Sequence, residues 1–393
     1  NDTTPTFSWS RALDLSSVTY DFQLDNDSDF DNGVVYEVSG LNDNELTLLS
    51  ENSLSDGTYQ WRVRGKDSWG HQGDWLSPYQ FTVDTQPPTS TSSLLSPAPG
   101  ENTQDTTPEF SWSLVADAAK YEIWIDNNLS FDNSGGYLIV ENSDVNSFTP
   151  ASALSDGTYY WRVRVVDNAG NLGVNWSDTW WVRVDNTVTA STLLEPAPDV
   201  KENDNRPTFR WQAVSDPSAP VTYRLQISTD QSFENIVYDN SNIVDNSLEI
   251  ENELPDNDYY WRVWVVDNLG NDAVTSWRKL TVDQTPPSSS VNSVSPYWKT
   301  SSSYVITATA SDGLSGVDNV ELYYRYSSDN VAWGSWTWFA TDSDPPWSFS
   351  FYSPQGDGYY RFYSIAVDEA GNHEAPPSQA DTSCGVDLSL IHI

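Results

Sequence analysis

Short runs in which apolar and polar residues alternate recur along the whole chain. In the segment Tyr159-Tyr-Trp161-Arg-Val163-Arg-Val165-Val, the residues Tyr159, Trp161, Val163 and Val165 fall on one face, and Tyr160, Arg162, Arg164 and Val166 on the other. A period of two is that of a half-buried strand. An upstream run, Tyr121-Glu-Ile123-Trp-Ile125, sets Tyr121, Ile123 and Ile125 on one face and Glu122 and Trp124 on the other; Phe110-Ser-Trp112 supplies a third strand. Clusters of Asp-Gly, Pro-Pro and Asn-Gly type separate such runs, about seven to each hundred residues, as in a sandwich of two sheets. The pattern predicts an all-β protein.

The pattern also repeats. Ser55-Asp-Gly-Thr-Tyr59-Gln-Trp61-Arg-Val-Arg64 returns as Ser155-Asp-Gly-Thr-Tyr159-Tyr-Trp161-Arg-Val-Arg164 and as Pro255-Asp-Asn-Asp-Tyr259-Tyr-Trp261-Arg-Val263. Asp67, Asp167, Asp267 and Asp368 keep the same spacing, the last three opening Asp-x-x-Gly-Asn segments. A period of about a hundred residues is a whole domain rather than one turn of a solenoid. The expected organisation is four tandem sandwiches, beads on a string: 1–84 (truncated at its start), 85–185, 186–283 and 284–378. A linker at 379–387 is expected to lead to a further domain. The last six residues, 388–393, resemble a translated sequencing adapter and are set aside. Asp2-Thr-Thr-Pro5-Thr-Phe7-Ser-Trp9 repeats Asp105-Thr-Thr-Pro108-Glu-Phe110-Ser-Trp112 without the Ser-Pro-Ala-Pro-Gly that precedes the second copy. The chain accordingly reads as part of a longer protein.

These residues resemble fibronectin type III domains and the related immunoglobulin-like repeats of prokaryotic cell-surface or secreted proteins. Trp112 stands where that family has its second-strand Trp, and Tyr121 where the third strand has its Tyr. Leu154-Ser-Asp-Gly-Thr-x-Tyr-x-Trp-x-Val is similar to the family's Leu-x-Pro-Gly-Thr-x-Tyr-x-Val-x-Val, with Tyr159 as the tyrosine corner. The resemblance carries over to Trp9, Tyr20 and Tyr59 in the first repeat and to Trp211, Tyr223 and Tyr259 in the third. Trp61, Trp161 and Trp261 replace a Val of the family pattern, which implies extra volume in each core. The fourth repeat is closer to the immunoglobulin-like modules. The resemblance implies a fold and is nearly silent on activity.

Composition narrows the function. With 18 Lys+Arg against 57 Asp+Glu, the net charge is −39. Such a chain is repelled by nucleic-acid phosphates and anionic lipid, which argues against nucleic-acid and membrane-surface binding. The 19 Trp and 21 Tyr supply too much apolar area for an acidic disordered tail. One Cys excludes an intrachain disulfide and a Cys-based zinc site, so packing must hold the fold. No run approaches the 18 apolar residues of a membrane-spanning helix. Asp far exceeds Glu, which suits turns and strand ends and permits a salt-adapted origin.

Candidate chemistry is sparse. His71 and His373 lie in equivalent loops with no repeated Ser partner, so no hydrolytic triad is read and the chain is expected not to be an enzyme. Asp25-Asn-Asp27-Ser-Asp29-Phe-Asp31 imitates the start of an EF-hand, but Phe30 stands where Gly is required and Tyr36 occupies position 12, so an EF-hand is rejected. No cofactor is read with certainty. Calcium is the sharper candidate, because loops at one end of such sandwiches bring Asp312, Asp368 and Asn372 towards Asp283 of the incoming linker; the bland alternative is that these residues cap turns. On the second repeat, Trp176-Ser-Asp-Thr-Trp180 resembles the Trp-Ser-x-Trp-Ser element of cytokine-receptor fibronectin modules. It suggests a ladder of Trp176 and Trp180 with Arg162 and Arg164. The functional alternative is a sugar-stacking platform of Trp124, Trp176 and Trp180. Asn1, Asn26, Asn128 and Asn175 begin Asn-x-Ser/Thr sequons.

The expected function is a non-catalytic extracellular stalk or adhesion segment of a larger surface protein, spacing other domains and meeting an extracellular protein or glycan. The alternative is an accessory glycan-binding or spacer array of a secreted polysaccharide-degrading enzyme. Pro87-Pro88 and Pro286-Pro287 are expected to limit bending of the linkers.

Overall fold

The structure, a computed structural model, describes residues 1–31, 33–116, 118–132 and 145–389, and the backbone alone of 137–142. The adapter-like 388–393 segment thus lies mostly outside the described residues. Apart from a 3₁₀ turn at Ser50–Asn52, every regular element among the described residues is a strand. No helix among them is long and apolar enough to cross a membrane. The strands build four tandem β-sandwiches, two in each of two compact units, Asn1–Asn186 and Thr187–Ile393.

In the first unit, one sandwich has a four-stranded sheet in the order Tyr36–Leu41, Val18–Asp25, Gly57–Asp67, Tyr79–Val83, faced by Thr6–Ser8 paired with Glu45–Thr47. The other has a five-stranded sheet, Tyr137–Asn142, Lys120–Asp126, Gly157–Val166, Trp180–Val184 and Glu101–Thr103. Its second sheet runs Ser147–Phe148, Phe110–Trp112, Leu94–Ser96. The register places Tyr121 opposite Val165, Ile123 opposite Val163 and Ile125 opposite Trp161. All six side chains are buried, so the alternation read from the sequence sets the face that meets the opposing sheet.

In the second unit the third sandwich repeats this plan, with Thr222–Ser228 and Asn257–Val266 central in the larger sheet. The fourth stacks Ser288–Val291, Ser303–Ser311 and Ser348–Tyr352 on a five-stranded sheet. The order of that sheet is Trp298–Lys299, Thr382–Val386, Gly358–Asp368, Val317–Ser327, Thr337–Asp342. Thr382–Val386 corrects the expectation of a linker at 379–387. It pairs with Gly358–Asp368 and places Cys384 and Val386 in the core. A Ser-, Asp- and Gly-rich run has low strand propensity, yet two alternating apolar residues suffice once a partner edge is present.

Each sandwich has its own hydrophobic cluster. Trp112, Trp161, Trp211 and Trp261 are fully buried, while Trp61 is half-buried and packs between Phe7, Phe22 and Tyr79. The added indole volume at Trp161 and Trp261 is met by Phe110 and Phe209, whose rings approach edge-on at 5.1 and 5.0 Å. The Tyr59, Tyr159 and Tyr259 hydroxyls each donate to the carbonyl four residues earlier, at 2.9, 3.1 and 2.7 Å. Tyr360 makes the same corner with Gly356 at 3.0 Å. Tyr20, Tyr121 and Tyr223 instead accept the N–H of Ala12, Val115 and Val214.

Candidate functional site

The Asp-x-x-Gly-Asn segments form one recurring loop. Asp167 accepts the backbone N–H of Asn171 on one oxygen and its side-chain amide on the other, and Asp267 and Asp368 do the same for Asn271 and Asn372. In the first sandwich His71 takes the Asn place, bonding Asp67 through its backbone N–H and through Nδ1 at 2.8 Å. Burial pushes Asp67 up, but the His71 ring and backbone N–H groups outweigh it and hold the carboxyl below its ordinary range. His71 is therefore a loop closure, and His373 is exposed beside a similar turn.

The loop also grips the chain that enters the sandwich. Within the first unit Asn171 Nδ2 donates to the carbonyl of Asp84 at 2.8 Å; within the second, Asn372 Nδ2 donates to the carbonyl of Asp283 at 2.7 Å. At the joint within the second unit the four residues singled out in the sequence come together. Carboxylate oxygens of Asp283, Asp312 and Asp368 lie within 4.8 Å of one another. Asp283 and Asp368 are 1% and 2% exposed. The Asp283 carboxylate accepts the N–H of Ser315 at 2.8 Å and of Thr285 at 3.1 Å. Burial raises Asp312, but the N–H groups of Gly316 and Leu314 prevail and keep it below the ordinary carboxylate range. Among the described residues no Lys or Arg is paired with any of the three. The nearby cation, Lys201, donates to Glu369 and to the carbonyl of Ser315, both at 2.6 Å. Carboxylates taken out of water without a cationic partner are costly, and three oxygens at this separation match the spacing around an ion that takes oxygen ligands at about 2.3–2.6 Å.

The second candidate is a set of arginine–aromatic ladders on the outward sheet faces. Arg162 lies over Trp124, Phe131 and Trp176 at 5.1, 4.0 and 4.4 Å, and Arg164 lies over Trp176 at 4.6 Å while pairing with the buried Glu122. Trp180 is not a rung, contrary to expectation. Its ring turns inward and meets Trp161 at 6.1 Å, because its register opposite Trp161 puts it on the core face. The sugar-platform alternative asks for coplanar rings, whereas Trp124 and Trp176 are tilted by 52° with Arg162 over both. In the first sandwich Arg62 and Arg64 flank Trp75. In the third, Trp277 packs on Tyr260 instead.

The sequence reading missed the rungs Phe30, Phe131 and Phe233. Each has a left-handed φ of 61°, 52° or 58°, and each ring lies within 4.0 Å of Arg62, Arg162 or Arg262. An aromatic residue pays roughly 1–2 kcal/mol for this conformation, which the cation–π contact offsets. Asp27 accepts the N–H of Phe30, so the false EF-hand start is a turn that aims a ring. The carboxylates of Asp27, Asp29 and Asp31 crowd within 4.8 Å. The hydrogen bond with Asp27 raises Asp29 above its usual value. The signal was present as Asp-Phe-Asp, Ser-Phe-Asp and Ser-Phe-Glu at matching repeat positions.

Residues 98–186 match the family described as bacterial Ig-like domain. Among solved structures, the fibronectin(III)-like modules of Clostridium thermocellum CbhA share 15% identity, covering 52% of this chain and 97% of that one, with a TM-score of 0.31. A tetra-tandem repeat from the extending region of a large adhesion protein shares 15% identity over 95% of this chain and 93% of its own, with a TM-score of 0.33. Chicken CNTN1 FN1–FN3 domains share 15% identity over 72% and 94%, with a TM-score of 0.26. No curated protein sequence matches the chain.

Proposed function

We propose that this chain is a non-catalytic extracellular spacer, a stalk or adhesion segment that holds other parts of a surface or secreted protein apart. The observation that carries the reading is a clamp present in each unit, in which the loop Asn171 or Asn372 fastens the carbonyl of the entering linker. A linker tied to the loop it passes resists bending, which is what a spacer requires. The ladders support the same reading, since their aromatic faces are taken up by arginines rather than presented to a sugar. That weighs against a sugar-stacking platform on the first two sandwiches.

In this reading the Asp283, Asp312 and Asp368 joint takes a divalent cation, Ca²⁺ by its all-oxygen donor set, and Asn372 holds both Asp368 and the linker in place. Calorimetric titration of the chelator-treated whole chain with CaCl₂ tests this. The Asp283→Asn and Asp368→Asn variants should each bind one ion fewer per chain while keeping the native circular dichroism spectrum. Equal uptake by wild type and both variants would show that the joint is closed by hydrogen bonds alone.

A further inference from the structure

The fourth sandwich departs from the other three at one place on its outward face. In the first, Arg62 donates to Gln23 and Arg64 pairs with Asp21. In the second, Arg164 pairs with Glu122; in the third, Arg262 donates to Gln226 and Arg224 pairs with Asp239. In the fourth, Arg325 stands directly opposite Arg361 across the sheet. Neither has a hydrogen-bonded or ionic partner among the described residues, and Arg325 Nε is a buried donor with nothing to meet it. Arg162 Nε is likewise unmatched, but Arg162 is enclosed by three aromatic rings and its neighbour Arg164 is neutralised.

Like charges directly opposite in a sheet destabilise it. In a chain of 18 basic and 57 acidic residues, two arginines face each other with no acid between them. Trp333 and Trp336 hold the pair from one side: Arg361 lies 4.1 Å from the Trp333 ring and Arg325 4.5 Å from that of Trp336. On the other side the pair opens into a cleft of about 360 Å³ walled by Ser378–Ser383. The carboxylate on that wall, Asp381, accepts the N–H of Val291 at 2.9 Å and of Ser364 at 3.1 Å, both on Oδ2, and burial pushes it above its ordinary pKa, which favours its uncharged form. Glu321 lies on the same face four residues along the strand from Arg325, about 13 Å away, and is engaged by the Tyr323 hydroxyl.

We infer that this cleft binds an oxyanion, the carboxylate or sulfate group of an acidic sugar. Two arginines paired across the sheet and lining one cleft supply the charge-assisted donors that carboxylate and sulfate groups accept. The cleft volume falls in the range of small-ligand sites, about 300–1,000 Å³, and exceeds what a bare sulfate fills. The acidity of the rest of the chain does not forbid the ligand, because charges beyond about 8 Å are screened at physiological salt.

The test is calorimetric titration of the whole chain with trigalacturonate, galactose 6-sulfate, inorganic sulfate and neutral galactotriose. At least one acidic sugar should bind, the neutral sugar should not, and inorganic sulfate should bind more weakly than the acidic sugars. Arg325→Gln and Arg361→Gln should each weaken binding about ten- to a hundred-fold, with Arg361→Lys in between. A second readout separates binding from structure: without ligand, Arg361→Gln should melt at or above the wild-type temperature, whereas Arg164→Gln, which strands Glu122, should melt lower. Binding that survives both glutamine variants, absence of binding by either acidic sugar, sulfate binding as tight as theirs, or a ligand-free Arg361→Gln that melts well below wild type would each overturn the inference.

Discussion

Trp112 and Trp211 are completely buried, each against a tyrosine whose hydroxyl closes a loop at 2.7 or 2.8 Å. Truncating either indole to Ala removes roughly 150–250 Å² of buried ring and leaves a cavity, at a cost of about 3–5 kcal/mol. Trp211→Ala should therefore unfold the third core at much lower denaturant while the fourth, with a separate cluster, keeps its own transition. Fluorescence-detected urea unfolding resolves the two. At this scale the inward indoles were legible because alternation puts Trp161 on the same face as Tyr159 and the resemblance to fibronectin type III domains places Trp112 and Trp211. Phe30, Phe131 and Phe233 were not, because local propensity speaks against an aromatic at positive φ, and only the arginine across the sheet makes it tolerable.

Between elements, charge pairs tie adjacent strands across the outward faces. Arg224 of Thr222–Ser228 meets Asp239 of Ile236–Ile243 through two bonds of 2.7 and 2.5 Å. The Arg224 bond holds Asp239 below its ordinary 3.8. A carboxyl with a depressed folded pKa lends stability that is fully present above the unfolded value and is lost as pH falls through the folded one. The third core should thus weaken as pH drops below about 4, and Arg224→Gln should flatten that acid limb; urea midpoints measured from pH 5 to pH 2 check it. An unchanged slope would mean the pair is screened by solvent. The sequence pointed to Thr222–Ser228 through Tyr223 but not to Thr382–Val386, whose composition resembles a linker and whose place depends on a distant edge, Gly358–Asp368. Trp180 was misjudged for a related reason: register, not motif, decides which face a side chain takes.

Over the whole chain, the repeat period announced the four sandwiches and the residue types announced the Asp283, Asp312, Asp368 and Asn372 joint, since loops at one end of a sandwich must meet the incoming linker. The opposed arginines were not legible. Arg325 and Arg361 are distant in sequence, and only the pairing register brings them face to face. A spacer also has a mechanical requirement: with no disulfide, each core must carry load by itself.

Single-molecule stretching of the chain from its two ends measures this directly. Four separate cores predict four unfolding events, each releasing roughly 30 nm, at about 3.5 Å for each of some 90 residues. One event, or two events each releasing twice that length, would show that the cores fail together and would contradict the account of the chain as a series of independently load-bearing sandwiches.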